Sequence, residues 1–142
     1  WNVVRAAHKH LAAAPDAAVV VVNAILARQP EARLAVTSAA RAALLNLTRS
    51  LATDLGHDGI RVNTVTLGLI DTGQWRRRFE ASGTALSYEQ WTAELATDRG
   101  VVLGRLGTAA EVAFPIVALL SPLSGFCTGA VVDVGGGVNR YM

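Results

Sequence analysis

Three short runs of apolar, largely β-branched residues set the strongest limit on how this chain folds. They cover residues 17–22, 60–65 and 130–134. Each run carries apolar residues on both faces, which is typical of strands buried on both sides. The segments between them place apolar residues every three or four positions, which indicates helices. Strands of this kind that alternate with helices predict an α/β fold: a Rossmann-like, doubly wound parallel sheet with flanking helices.

Helices and a lid are predicted around these strands. The first helix covers residues 1–11, and the longest covers residues 36–55 and ends at Gly56. Thr108 and Glu111 form a capping box that opens a helix through Leu120. Residues 73–104 are charged and aromatic without a strand pattern, so we expect an inserted helical lid over the substrate. Three strands leave an apolar edge that another part of the protein or a partner must cover.

Composition narrows the class of protein. The chain has 142 residues, 51% of them hydrophobic, which fits one globular domain or part of one. No apolar run reaches the roughly 18 residues of a membrane span, so we expect no membrane partner and a cytoplasmic protein. The net charge is +2, and the run Arg76–Arg78 reads as a solvated helix face, so no nucleic-acid partner is expected. The single cysteine, Cys127, is expected to pack beside Phe126 in a reduced compartment.

The histidines do not predict a metal site. His8 and His10 are two residues apart, so they point to different faces of a helix. His57 lies in a turn, away from both. We therefore expect no metal ligands in this chain.

Four separated motifs carry a resemblance to a known family. In order, they are Arg61-Val62-Asn63, Gly68 to Thr72, Gly104 to Gly107 with Glu111, and Thr128-Gly129 with Asp133 to Gly137. Together they resemble the short-chain dehydrogenases/reductases over nearly the whole chain. The resemblance implies the C-terminal half of that domain, residues 1–142 forming a partial single domain with a lid at about 73–104. The N-terminal cofactor half would precede Trp1, which stands where a complete chain would have methionine.

The resemblance also implies a site for NAD or NADP. Ile70 would offer its backbone to the carboxamide and Thr72 its hydroxyl, after a turn at Gly68. An ordinary loop at the end of a strand is the alternative interpretation, and Leu67 replaces the family's usual proline. The glycine run 135–137 opens no helix, so we expect a tight turn there. Without the family's glycine-rich turn, this fragment alone is not expected to bind a dinucleotide in the family's manner.

All three residues that the resemblance implies for catalysis are substituted. Ala24, Thr37 and Arg41 occupy the family's serine, tyrosine and lysine positions. Ala24 has no donor for a substrate oxygen, and the Thr37 hydroxyl is far too weak an acid to replace a phenol. Arg41 still offers charge and donors to a cofactor ribose, yet it cannot relay a proton as lysine can. We expect Ser38 to cap the start of its helix.

A slipped alignment does not hide the missing pair. The only tyrosines are Tyr88 and Tyr141, and Thr92 stands four residues after the first of them. Lys9 is the only lysine of the chain. No tyrosine is therefore followed by a lysine at the family's spacing.

Three interpretations of function follow. The first is a divergent or impaired NAD(P)-linked oxidoreductase acting on carbonyls and alcohols. The second is a non-catalytic relative that binds cofactor or assembles subunits, because helices 1–11 and 36–55 resemble the family's pairing helices and imply a homodimer or homotetramer. The third is an inactive truncated fragment. Trp75, Phe79 and Trp91 in the lid favour an apolar or ring-containing small-molecule substrate, and they are equally consistent with core packing.

Overall fold

A computed structural model describes residues 1–141 of the chain. Five helices and three strands alternate as the sequence predicts. In chain order they are α1 (Asn2–Ala13), β1 (Ala18–Ala24), α2 (Ala35–Asp54), β2 (Arg61–Leu67), α3 (Gly73–Ser82), α4 (Tyr88–Asp98), α5 (Ala109–Leu120) and β3 (Val131–Val134). Short 3₁₀ turns follow β1, α2 and α5.

The three strands form one parallel sheet in the order β1-β2-β3. Val20 of β1 pairs with Asn63 of β2, and Thr64 of β2 pairs with Val131 of β3. The central strand β2 is buried from Arg61 to Thr66, as a strand covered on both faces must be. The predicted α/β fold with flanking helices is confirmed.

Each face of the sheet packs against helices. One core cluster joins Leu51 and Ala52 of α2 to Val62 of β2, and Leu11 of α1 packs against it. Successive strand residues point to opposite faces, so Asn63 lies on the other face, where it meets the segment that follows α5. This arrangement leaves the carboxyl ends of β1 and β2 side by side at one edge of the molecule.

Two polar side chains of β2 hold α5 and its exit in place. The guanidinium of Arg61, 8% exposed, donates to the carbonyl oxygens of Leu119 at 2.8 Å and Ser121 at 3.1 Å, at the end of α5. The Asn63 side chain donates to the Cys127 carbonyl at 2.8 Å and accepts from the Ala130 N–H at 3.0 Å. A cation at the C-terminus of a helix complements the partial negative charge of its last carbonyls. The Arg-Val-Asn motif is therefore a structural anchor.

Two expectations about single residues are wrong. Ser38 does not cap α2, because this helix begins at Ala35 with Leu34 as its N-cap, and the Ser38 hydroxyl is buried instead. Cys127 does not pack in the core: it is exposed, and its neighbour Phe126 is fully exposed too. Apolar neighbours in the sequence indicated burial there, whereas the turns after α5 point these side chains outward.

Candidate active site

One cavity collects the residues at the family's catalytic positions. It has a volume of about 430 Å³ and lies where β1 and β2 end, with Ala24, Thr37, Arg41 and Gly68 in its wall. The carboxyl ends of parallel strands are the usual place for a ligand site in open α/β sheets. The remaining lining residues are Ile25, Leu26, Glu31, Leu34, Leu67, Leu69, Gln74, Trp75, Arg78 and Arg99.

A buried asparagine connects the two elements that carry the substituted positions. Asn23, the residue before Ala24, is 2% exposed and lies at the end of β1. Its amide nitrogen donates to the carbonyl oxygen of Arg41 at 3.0 Å, and its oxygen accepts from the N–H of Ala24 at 2.9 Å. The backbones at Ala24 and Arg41 are therefore held together by a buried side chain. The replaced side chains have not loosened the backbone that presents them.

The turn after β2 is packed so closely that only glycine fits. A Cβ on Gly68 would stand 2.9 Å from the Cα of Gly135 and 3.1 Å from Val138 Cγ1. The Gly68 N–H also donates to the carbonyl of Val134 at 2.9 Å. The start of the predicted cofactor turn is therefore pressed against the glycine run after β3. That run is a tight turn, as predicted, with φ of 59° at Gly136 and 82° at Gly137.

The backbone of Ile70 is free to meet a ligand. Ile70 forms an isolated parallel bridge with Gly107, in which Gly107 donates to the Leu69 carbonyl at 2.9 Å and accepts from the Asp71 N–H at 2.7 Å. In such a bridge the central residue directs its own N–H and C=O away from the partner. Among residues 1–141 no backbone group pairs with either of them. A donor and an acceptor side by side match a carboxamide, so this segment fits the nicotinamide end of a cofactor.

The structure does not bring all the predicted cofactor residues to the same cavity. The Ile70 side chain is 8% exposed and lines a separate cavity of about 250 Å³, beside Gly107 and Asp133. Thr72 is the N-cap of α3, and its hydroxyl accepts no capping hydrogen bond, which leaves it available to a ligand. Arg41 and Gly68 alone of that set line the larger cavity. Leu69 lines both cavities, so a cofactor that met both Arg41 and the backbone of Ile70 would have to extend from one cavity into the other.

The segment predicted as a lid contains α3 and α4, and its aromatic residues pack mainly on one another. The Phe79 and Tyr88 rings meet edge to face with centroids 5.3 Å apart, and Trp91 lies 5.8 Å from Phe79. Burial, and then a hydrogen bond to Asp71, raise the pKa of Tyr88. Trp75 differs, because it contacts this cluster and also lines the larger cavity. Of the three lid aromatics singled out from the sequence, one therefore reaches the cavity.

Three arginines and one glutamate make the larger cavity cationic. Arg99 of the segment after α4 is paired with Glu31 at 2.6 Å. Arg41 and Arg78 have no carboxylate within ion-pair distance among the residues described. Two positive charges of the cavity wall are therefore uncompensated. The sequence does not identify Arg78 and Arg99 as cavity residues, because only the fold brings α3 and the end of α4 to the end of β1.

Comparison with known proteins establishes the class. Residues 1–139 match the family model described as enoyl-(acyl carrier protein) reductase, a model of short-chain dehydrogenases/reductases. The chain therefore belongs to the short-chain dehydrogenase/reductase family, as its motifs predict. No helix within residues 1–141 is long and apolar enough to cross a membrane, and no group of three potential metal-ligating side chains lies in that part of the chain.

The most informative relative is a short chain oxidoreductase from Pseudomonas aeruginosa that contains an atypical catalytic centre. Its apo structure is 48% identical to this chain, with a TM-score of 0.94 over 98% of this chain and 53% of that one. Its NADPH-bound structure gives a TM-score of 0.91 over 98% of this chain and 52% of that one.

Two curated relatives are dehydrogenases of ring alcohols. Cyclohexanol dehydrogenase from a Rhodococcus species is 41% identical over 70% of this chain and 33% of its own length. Cis-4-hydroxycyclohexanecarboxylate dehydrogenase from Sinomonas cyclohexanicum is 36% identical over 91% of this chain and 47% of its own length. The chain spans about half the length of these relatives or less.

Proposed function

We propose that the native protein is an NADPH-linked oxidoreductase that interconverts a carbonyl compound and an alcohol through an atypical catalytic centre. One observation carries the proposal: Ala24, Thr37 and Arg41 line one cavity at the ends of β1 and β2, and Ile70 lines a second cavity that shares Leu69 with the first. Among residues 1–141 the backbone N–H and C=O of Ile70 have no backbone partner, so they are available to a cofactor in this proposal. The NADPH-bound relative, which also has an atypical centre, supports this function.

In this proposal each residue of the site has a separate role in binding the cofactor or in proton transfer. A bound nicotinamide cofactor supplies or takes the hydride. Ile70 and Thr72 orient its carboxamide, and Arg41 donates to its ribose. Alcohol hydroxyls and guanidinium groups are poor general acids, so in this proposal the proton that accompanies the hydride comes from water admitted to the cavity, which leaves hydroxide.

The substrate is a small ring-containing ketone or alcohol in this proposal. Trp75, Leu34 and Leu69 give the cavity an apolar wall, and its volume of about 430 Å³ suits a compound with one or two rings. The two relatives named for cyclohexanol and for a hydroxycyclohexanecarboxylate support this class.

A non-catalytic cofactor-binding relative is the second candidate. One observation favours it: Thr37 is the only hydroxyl among the residues that line the cavity, and no tyrosine or lysine lines it. In this case the protein binds NADPH without oxidising it. The exposed faces of α1 and α2, with Val3 and Val36 more than 80% exposed, would then serve assembly into a homodimer or homotetramer.

The first experiment is the intact mass and N-terminal sequence of the native protein, followed by titration with NADPH. Fluorescence titration shows binding in both candidates, and oxidation of NADPH by cyclohexanone separates them. We expect binding and slow turnover. Absence of NADPH binding would refute both candidates.

A triple substitution then tests whether the cavity lacks only its catalytic groups. Ala24→Ser, Thr37→Tyr and Arg41→Lys together restore the family's set. Because general acid catalysis contributes about 10²–10⁴-fold, turnover should rise by about that factor if the surrounding geometry is intact. Ala24→Ser with Arg41→Lys, but without the tyrosine, is the matched control and should gain far less. An unchanged rate in the triple variant would favour the non-catalytic candidate.

A further inference from the structure

The larger cavity contains an arginine that neither the fold nor the family's catalytic positions account for. Arg78 lies in the lid helix α3 and lines the cavity. Its guanidinium carbon stands 4.8 Å from the centroid of the Trp75 ring, and Trp75 lines the same cavity. No hydrogen bond or ion pair to another described residue engages its donors. Stacking on an aromatic face restrains a guanidinium while leaving the N–H groups at its edge free.

The other charges of the cavity do not neutralise Arg78. Among residues 1–141, Glu31 is the only carboxylate in the lining, and it is paired with Arg99 at 2.6 Å. Arg41 adds a second uncompensated cation on the opposite, α2 side. Arg78 is exposed, so water meets its donors while the cavity is empty, and the uncharged polar side chains of the described lining are those of Gln74 and Thr37. A bound compound that displaces this water complements the charge of Arg78 only if it carries an anionic group.

We infer that the substrate carries a carboxylate, and that Arg78 of the lid binds it. This inference rests on the proposed function and deepens it: the compound is an apolar, ring-sized oxo acid or hydroxy acid rather than a neutral ketone or alcohol. A planar guanidinium fork matches a carboxylate with two parallel N–H···O bonds. The apolar wall formed by Leu34, Leu69 and Trp75 receives the ring. Because Arg41 donates to the cofactor ribose in the proposed function, Arg78 is the residue that selects substrates with a carboxylate.

The test compares an acid with its neutral isostere. Calorimetry on the native protein saturated with NADP⁺ measures binding of cyclohexanecarboxylate and of cyclohexanecarboxamide. Charge-assisted hydrogen bonds predict that the acid binds about tenfold or more tightly than the amide. Arg78→Gln should abolish that preference and leave the affinity for the amide unchanged. Arg78→Lys, which keeps the charge but loses the fork, should retain part of it.

Arg77→Gln is the matched control, because Arg77 belongs to the same helix and does not line the cavity. It removes the same charge and should leave the preference for the acid intact. Equal binding of acid and amide, or an equal loss in Arg77→Gln and Arg78→Gln, overturns the inference. So does a weakened affinity for NADPH in Arg78→Gln, since Arg78 would then serve the cofactor. Failure of NADPH binding in the unsubstituted protein refutes the proposed function separately, and the acid and amide are then compared without cofactor.

Discussion

An alanine at position 68 tests how far the cofactor turn depends on close packing. The added Cβ would lie 2.9 Å from the Cα of Gly135 and 3.2 Å from its carbonyl oxygen. Both contacts involve backbone atoms, which no change of side-chain rotamer can relieve, so the two turns must separate. Overpacking of this kind costs about 1–3 kcal/mol of unfolding free energy. Because the same turn leads to Ile70, the affinity for NADPH should fall as well.

Gly56→Ala is the matched control for this prediction. A Cβ on Gly56 meets nothing within 4 Å, and its backbone does not require glycine. Such a substitution leaves stability unchanged or raises it by up to about 1 kcal/mol. Denaturant unfolding of both variants gives the two free energies, and fluorescence titration gives the NADPH affinities. If Gly68→Ala unfolds at the same denaturant concentration as Gly56→Ala, the packing at Gly68 is not as described.

Two further predictions concern residues outside the cavity. Arg61→Met should lower the unfolding free energy by about 2–4 kcal/mol, because it leaves the carbonyls at the end of α5 without their donor. Arg5→Met, at an exposed position of α1, is the control and should stay within about 0.5 kcal/mol of the unsubstituted protein in the same denaturant assay. Hydrogen bonds from Arg105, and then from Thr108, lower the pKa of Glu111 from 4.5 to about 2. The stabilisation of the fold by this carboxylate is therefore present above about pH 4.5 and is lost as the pH falls towards 2. The melting temperature of Glu111→Gln should therefore lie below that of the unsubstituted protein at pH 7 and converge with it near pH 2, and a difference that is constant with pH would contradict this.

Local patterns in the sequence were enough to predict much of the fold. The capping box of Thr108 and Glu111 is confirmed at the start of α5, because both of its hydrogen bonds form between residues three positions apart. The run at residues 60–65 is confirmed as a buried strand, and the structure places it at the centre of the sheet, where both of its faces are covered. Features that depend on residues close together in the sequence can therefore be predicted from it.

Features that depend on where distant elements meet were not readable in the same way. The partner of Arg61 could not be predicted from the sequence, because it is the end of α5, 58 residues further along the chain. Arg78 reads as one of three solvated arginines, and its place in the cavity follows only from the packing of the lid. Cys127 and Phe126 were misplaced for the same reason: apolar side chains in a turn carry no periodicity that reveals which way they face. The three positions predicted as catalytic therefore line one cavity, whereas the arginines Arg78 and Arg99 of its wall were not predicted.

The bridge between Ile70 and Gly107 has a consequence for how substrate preference could change under the proposed function. Main-chain hydrogen bonds make this connection, and it lies immediately before α3 begins at Gly73. Side chains of α3 and α4 can therefore be exchanged by mutation without touching the hydrogen bonds that hold the Ile70 segment. Under the proposed function, preference for a substrate could then change one residue of α3 at a time, starting at positions such as Trp75 and Arg78, while the backbone proposed to orient the cofactor stays in place.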